Sequence, residues 1–278
     1  MEPFGARLAA AMRARGQLCV GIDPHRGLLE QWGLADDAAG VERFAMTAVE
    51  ALAPEVAVLK PQSAFFERHG SRGIAALEKA VAAARAQGAL VLLDVKRGDI
   101  GSTMRGYADA YLDATSPLAV DAITVSPFLG FESLRPALDV AREHGAGVFV
   151  LARTSNPEGG DVQRAQAGDR TVAAAILAAV AAENAGVEPM GSVGAVVGAN
   201  LDPLPEDLAV NGPLLAPGYG AQGGTPAHLR RLFAGVERLV LPSTSREVLA
   251  AGPSVASLRE AARRCADDVA AGFAVASR

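Results

Sequence analysis

Short apolar runs alternate with alanine-rich stretches of helical spacing through nearly the whole chain. The runs fall at 18–22 (LCVGI), 56–60 (VAVLK), 90–95 (LVLLDV), 121–125 (DAITV), 147–152 (GVFVLA), 193–198 (VGAVVG), 213–216 (PLLA) and 238–242 (RLVLP). They are continuously apolar rather than alternating, as expected of parallel strands covered on both faces. The stretches between them, such as 38–53, 71–87, 130–145 and 170–185, have the length that a right-handed crossover between parallel strands requires. Eight such units with no break in composition predict an α/β protein, a single (β/α)8 TIM barrel over residues 1–278. The same pattern sets a leading helix at about 3–15 and a closing helix at about 255–275. A doubly wound open sheet is the alternative.

A barrel of this kind carries its chemistry at the C-terminal ends of its strands. That rule selects Gly21-Ile22-Asp23-Pro24 after the first run, Lys60-Pro61-Gln62 after the second and Asp94-Val95-Lys96 after the third. The fifth run leads into Arg153-Thr154-Ser155-Asn156-Pro157 and a polar stretch reaching about Arg170. So long a loop suggests a lid or binding segment. The sixth ends near Asn200, the seventh runs into Pro217-Gly-Tyr-Gly-Ala-Gln222-Gly-Gly, and the eighth into Ser243-Thr244-Ser245-Arg246.

Within that set, LVLLDVKRGDIGST at 90–103 carries the densest charge. Ionic groups directly after a core strand are expensive to desolvate and need partners. Residues two apart on a strand share a face, so Asp94 and Lys96 point at one site. Asp99 and Thr103, four apart, are expected on one face of a following helix. A lysine between two carboxylates is favoured in its charged form, which makes Lys96 a candidate proton donor fixed beside negative charge. The plain alternative is an ion pair at the rim of a sheet.

The glycine-rich loop after the seventh run and Arg246 after the eighth occupy the place where barrels often bind phosphate. Glycines let backbone N–H groups approach an anion, and arginine adds a forked donor set. A surface turn and a helix-start salt bridge are the bland readings. Gly218-x-Gly220-x-x-Gly223 formally matches a dinucleotide fingerprint, but it lies late in the chain and lacks the acidic strand end that should follow.

Composition narrows the partners. Net charge is −5 with no basic run, which argues against nucleic acid. No apolar run reaches the roughly 18 residues that span a bilayer. The first residues, MEPFGARLAAAMRARGQ, read as an ordinary helix without a signal-peptide core. Two cysteines, Cys19 and Cys265, suggest no disulfide framework and a cytoplasmic setting. The four histidines are scattered with no pair at metal-ligand spacing, and Ser155 has no histidine base at triad-like spacing. His25, near the barrel mouth after the first run, is a candidate substrate contact, with a solvated loop residue as the plainer reading.

The string Asp94-x-Lys96-x-x-Asp99-Ile100-x-x-Thr103 resembles the active-site signature of orotidine 5′-phosphate decarboxylases. The resemblance extends over roughly residues 18–250 with the motifs in order, and it is closest to the longer, bacterial branch. It implies decarboxylation of orotidine 5′-monophosphate to UMP and CO2, the last step of pyrimidine nucleotide synthesis, with no cofactor and no metal. By the same resemblance, Asp23 contacts the ribose and Lys60 bonds it while joining the charged array. Asp94, Lys96 and Asp99 form the core, and Asp99, Ile100 and Thr103 reach the neighbouring subunit's site in a homodimer with shared active sites. Ser155 reads the pyrimidine edge, Pro217 opens the phosphate loop, Gln222 bridges that loop to the pyrimidine loop, and Arg246 holds the phosphate. Ser245 departs from the pattern, since many members have glycine there. Two rivals stand beside this reading. One is a magnesium-dependent sugar-phosphate decarboxylase or aldolase of the same barrel group, which carries a metal-binding glutamate where Lys60 stands. The other is a barrel that binds a nucleotide without turning it over.

Overall fold

The computed structural model describes residues 1–202, 204 and 206–274. Eight parallel strands close into a barrel: β1 (Cys19–Ile22), β2 (Val58–Pro61), β3 (Leu90–Arg97), β4 (Ala122–Val125), β5 (Gly147–Arg153), β6 (Val193–Val197), β7 (Leu214–Pro217) and β8 (Val240–Thr244). Each strand pairs with its neighbour in sequence, and Cys19 opposite Ser243 closes β1 onto β8. The open-sheet alternative is thereby excluded.

One residue in two along these strands points inward. Cys19, Val58, Leu92, Ala122, Phe149, Val196, Leu215 and Leu241 fill the barrel interior as one apolar cluster. The leading helix Phe4–Arg15 caps this cluster from below. Phe4, Leu8 and Met12, four apart, lie on one face and are buried in it. The Phe4 ring meets Phe149 edge-on at 5.9 Å between centroids. Arg7 fastens the same helix by an ion pair to Asp121 at 2.5 Å and a bond to the Gly145 carbonyl at 2.9 Å. The N-terminal end of the barrel is thus sealed, and chemistry is left to the other end. The outward faces of the strands pack against the crossover helices, including Ala38–Leu52 and Gly70–Ala86, in a second and larger apolar cluster.

Some boundaries differ from the sequence reading for local reasons. The stretch expected as a helix at 130–145 begins with a tight turn at Phe131–Leu134 before the α-helix Arg135–His144. The eighth strand starts two residues late because Glu237–Leu239 forms another such turn, which carries Ser243 and Thr244 into the strand. The polar loop after β5 is not plain coil: it holds a short helix, Gly159–Gln163, and a two-stranded ribbon pairing Gln166–Ala167 with Arg170–Thr171. The closing helix runs Val255–Phe273; residues 275–278, where its expected end falls, lie outside the described residues.

Candidate active site

Asp94 is the centre of the charged cluster. β3 delivers it to the open end of the barrel, where its side chain is only 9% exposed. Its Oδ1 accepts hydrogen bonds from the Lys96 ammonium at 2.6 Å and from the Thr124 hydroxyl at 2.7 Å. Its Oδ2 accepts from the Lys60 ammonium at 3.2 Å. Burial pushes the Asp94 carboxyl up, but Lys60 and Lys96 more than reverse this and hold it well below the usual carboxylate range. Burial likewise pushes the Lys60 ammonium down, while Asp94 and Asp23 bring it back above the ordinary lysine value. One carboxylate therefore receives two lysine side chains, and the buried pair Asp94 and Lys60 stays ionised at neutral pH.

The two lysines differ in access. Lys60 is 8% exposed and locked between β1 and β3, whereas the Lys96 side chain is 47% exposed at the mouth. Lys96 sits in the left-handed backbone region at φ 46°, a conformation that costs a non-glycine residue about 1–2 kcal/mol. The β3–β4 register shifts between Leu93 and Arg97, so the regular ladder is interrupted there.

Asp99 does not occupy the place expected of it. The following helix runs Gly101–Leu112 with Ile100 at its N-cap in an extended conformation, so Asp99 precedes the helix and shares no face with Thr103. Its Oδ1 accepts from the Ile100 N–H at 2.8 Å. The chain must turn before Asp99 because Gly98 passes tightly against the Ser126 backbone, with no room for a side chain. Among the described residues Asp99 makes no ion pair, so within this chain Lys96 is held by one carboxylate, not two. Ile100 is 61% exposed and Thr103 is also exposed.

Across the mouth, Asp23, Lys60, Pro217, Gln222, Ser245 and Arg246 line a single cleft together with Gly218 and Thr244. Asp23, just beyond β1, keeps one buried oxygen, Oδ1, without a hydrogen-bond partner among the described residues. The loop after β7 folds on itself: Gly220 donates to the Gly224 carbonyl at 2.9 Å and Gly224 to the Gly218 carbonyl at 2.9 Å. Gly218, Gly220 and Gly223 have φ values of 94°, 76° and 94°, which L side chains rarely adopt. Here these glycines shape a loop between a barrel strand and the helix Pro226–Leu232, not a nucleotide-binding turn of an open sheet. Asn200 steadies the loop by donating its Nδ2 to the Gln222 carbonyl at 3.0 Å. Arg246 opens the short helix Arg246–Leu249, is exposed, and forms no salt bridge among the described residues. Ser245 packs over Gly21, where an added Cβ would lie 2.9 Å from the Ser245 Cβ. Its φ of −136° needs no glycine.

Ser155 begins the loop after β5, exposed and close to Gly198. The base of that loop is tied by two bonds, from the Thr154 N–H to Gln163 Oε1 at 3.0 Å and from Gln163 Nε2 to Thr154 Oγ1 at 2.7 Å. His25 is not a solvated loop residue. It caps the helix Arg26–Gln31, packs near Phe65, and keeps a buried Nε2. The sequence reading also passed over Thr124 and the exposed pair Phe128 and Leu129, 78% and 54% exposed. Thr124 was legible as a polar residue two beyond inward-facing Ala122; Phe128 and Leu129 gave no periodic signal.

The profile of the orotidine 5′-phosphate decarboxylase / HUMPS family matches residues 16–261. The chain belongs to this family. A family member from Streptomyces coelicolor, named orotidine 5′-phosphate decarboxylase, is 64% identical over 271 residues, covering 97% of this chain and 98% of its own. One of the same name from Nocardioides sp. is 66% identical over 253 residues, 90% of this chain and 92% of its own. A crystal structure from Streptomyces avermitilis, described as that of a candidate orotidine 5′-phosphate decarboxylase, superposes with a TM-score of 0.97 at 64% identity. It covers 99% of this chain and 97% of that one.

Proposed function

We propose that this chain decarboxylates orotidine 5′-monophosphate to UMP and CO2, with Lys96 as the group that stabilises and then protonates the C6 carbanion. Full-length relatives of that name support the reaction. The observation that carries the role of Lys96 is the Asp94 carboxylate shared between Lys60 and Lys96. When the bond from C6 to the carboxylate carbon breaks, its electron pair stays on C6, with no neighbouring carbonyl or imine to absorb it. A fixed ammonium stabilises such a charge electrostatically and then transfers its proton to C6, leaving a neutral amine that solvent reprotonates. Asp94 also presents negative charge near the departing carboxylate. Two like charges about 4 Å apart at an effective dielectric near 20 repel by roughly 4 kcal/mol, which is secondary to the lysine because substrate binding must itself overcome it.

Lys60 separates this reading from the magnesium-dependent branch of the family. A buried ammonium held in its charged form repels a divalent cation, where a metal site there needs a carboxylate. The phosphate is assigned to Arg246 and the 217–224 loop, the ribose to Asp23 and Lys60, and the pyrimidine edge to Ser155 and Gln222. Phosphate binding far from C6 supplies energy for ordering the loops around the reacting centre.

Two copies are assigned to the working enzyme, with Asp99, Ile100 and Thr103 of each completing the other's site. Asp99 has no ion-pair partner among the described residues, and Ile100, Phe128 and Leu129 form exposed apolar positions on adjacent loops. The two buried, unpaired cysteines suit a cytoplasmic setting. The test is the loss of substrate absorbance on adding orotidine monophosphate with a chelator present. Turnover is expected with chelator, and Lys96→Ala is expected to abolish it while the protein stays folded. Turnover only with magnesium, or binding without turnover, would instead select one of the two rivals.

A further inference from the structure

Thr124 lies on the inward face of β4, two residues beyond Ala122, and is 1% exposed. Its single hydroxyl makes two bonds. It accepts from the Lys96 backbone N–H at 3.0 Å and donates to Asp94 Oδ1 at 2.7 Å. The first bond lies where the β3–β4 register shifts, between Leu93 and Arg97. It falls at the residue held at φ 46°. The second bond meets the same Asp94 oxygen that receives the Lys96 ammonium at 2.6 Å. Thr124 therefore touches both ends of the Lys96 arrangement, its backbone and the carboxylate that orients its side chain.

We infer that Thr124 is a positioning residue for the reaction, a strut on β4 that holds Lys96 in its bent backbone conformation and aims its ammonium at C6. The inference rests on the reading of Lys96 given above. A left-handed residue persists only where its surroundings over-determine it. At Lys96 the hydroxyl of Thr124 does so without contributing charge or reaching the mouth of the cleft. Its γ-methyl adds packing that valine or serine separates from the hydroxyl: valine keeps the shape and loses the bonds, whereas serine keeps the bonds and loses the methyl.

The experiment measures kcat and KM for Thr124→Val, Thr124→Ser and Thr124→Ala, with Lys96→Ala alongside and UMP affinity as a check on each folded site. Misplacing a reacting group by about 1 Å can cost on the order of 100-fold. Thr124→Val and Thr124→Ala are accordingly expected to lose about 10- to 100-fold in kcat, with KM and UMP affinity within about threefold of wild type. Thr124→Ser should recover most of that loss. If valine does not fold, the comparison of alanine with serine decides. Wild-type kcat in the valine or alanine variant, with Lys96→Ala inactive, overturns the role of Thr124 alone. A loss that serine fails to recover does the same, since it assigns the effect to the methyl group. Full activity in Lys96→Ala overturns the reading of Lys96 and this inference with it.

Discussion

Lys60 and Asp94, thirty-four positions apart, form a buried ion pair at 3.2 Å in which each side chain is less than a tenth exposed. The pair joins β2 to β3 across the open end of the barrel, and it has mechanical as well as chemical consequences. Removing one member of a buried pair leaves the other charge unpaired, which costs about 3–5 kcal/mol. Asp94→Ala is expected to lower stability by that order and to abolish turnover. A urea midpoint within error of wild type would show that the pair carries no such load.

The same pair sets the pH range of stability. Asp94 is depressed in the folded state, so its contribution is fully present above the unfolded carboxyl value of about 3.9 and is lost as pH falls toward the folded value. Lys60 is raised, so its contribution is fully present below the unfolded lysine value of about 10.4 and is lost as pH rises through the folded value. The stability gap between wild type and Asp94→Asn should be flat from about pH 5 to 9 and shrink below about pH 4. Urea titrations across that range measure it; a gap that closes near neutrality contradicts the assignment.

Arg246 is exposed at the cleft and paired with no carboxylate among the described residues, which leaves its guanidinium available to a phosphate. A charge-assisted hydrogen bond is worth about 1.5–3 kcal/mol, or roughly 10- to 150-fold in affinity. Arg246→Ala should raise KM by that order with the fold intact. An unchanged KM removes Arg246 from the phosphate site.

Asp99 projects from the loop ahead of its helix beside exposed Ile100. If two copies share sites, mixing inactive Lys96→Ala with inactive Asp99→Ala protein under exchange conditions should restore activity, because each mixed dimer contains one site with both residues intact. No recovery, with subunit exchange verified by mass, would place Asp99 in the service of its own chain.

The two cysteines give a simpler check on the barrel. Burial pushes the Cys19 thiol up to about 12 and the Cys265 thiol up to about 11. Native protein should resist a thiol reagent at pH 8, and denatured protein should label at both positions. Rapid labelling of Cys19 in the native state would mean that β1 is not sealed inside the barrel.

Continuous apolar runs and helical spacing gave the eight strands and their order, because a strand buried on both faces leaves an unbroken apolar signature. The strand-end rule then selected Asp23, Lys60, Lys96, Gln222 and Arg246, all now found at the open end of the barrel. The reading failed where the backbone departs from regular geometry. Four-residue spacing put Asp99 and Thr103 on one helix, but the helix begins only at Gly101, after the constricted turn at Gly98. His25 read as a loop residue because nothing in its sequence announces that its ring nitrogen caps the next helix.

By itself, then, the sequence determined the barrel, the end at which its polar residues gather, and the charged string after the third strand. Those features depend on spacing within one segment, which the period of a strand or helix makes readable. Only the tertiary structure decided that Lys60 and Thr124, from two different strands, converge on the carboxylate of a third, and that Lys96 is bent beside them. Contacts between strands depend on register and on the shift beside Lys96. Both are set by closure of the whole barrel, so no single segment encodes them.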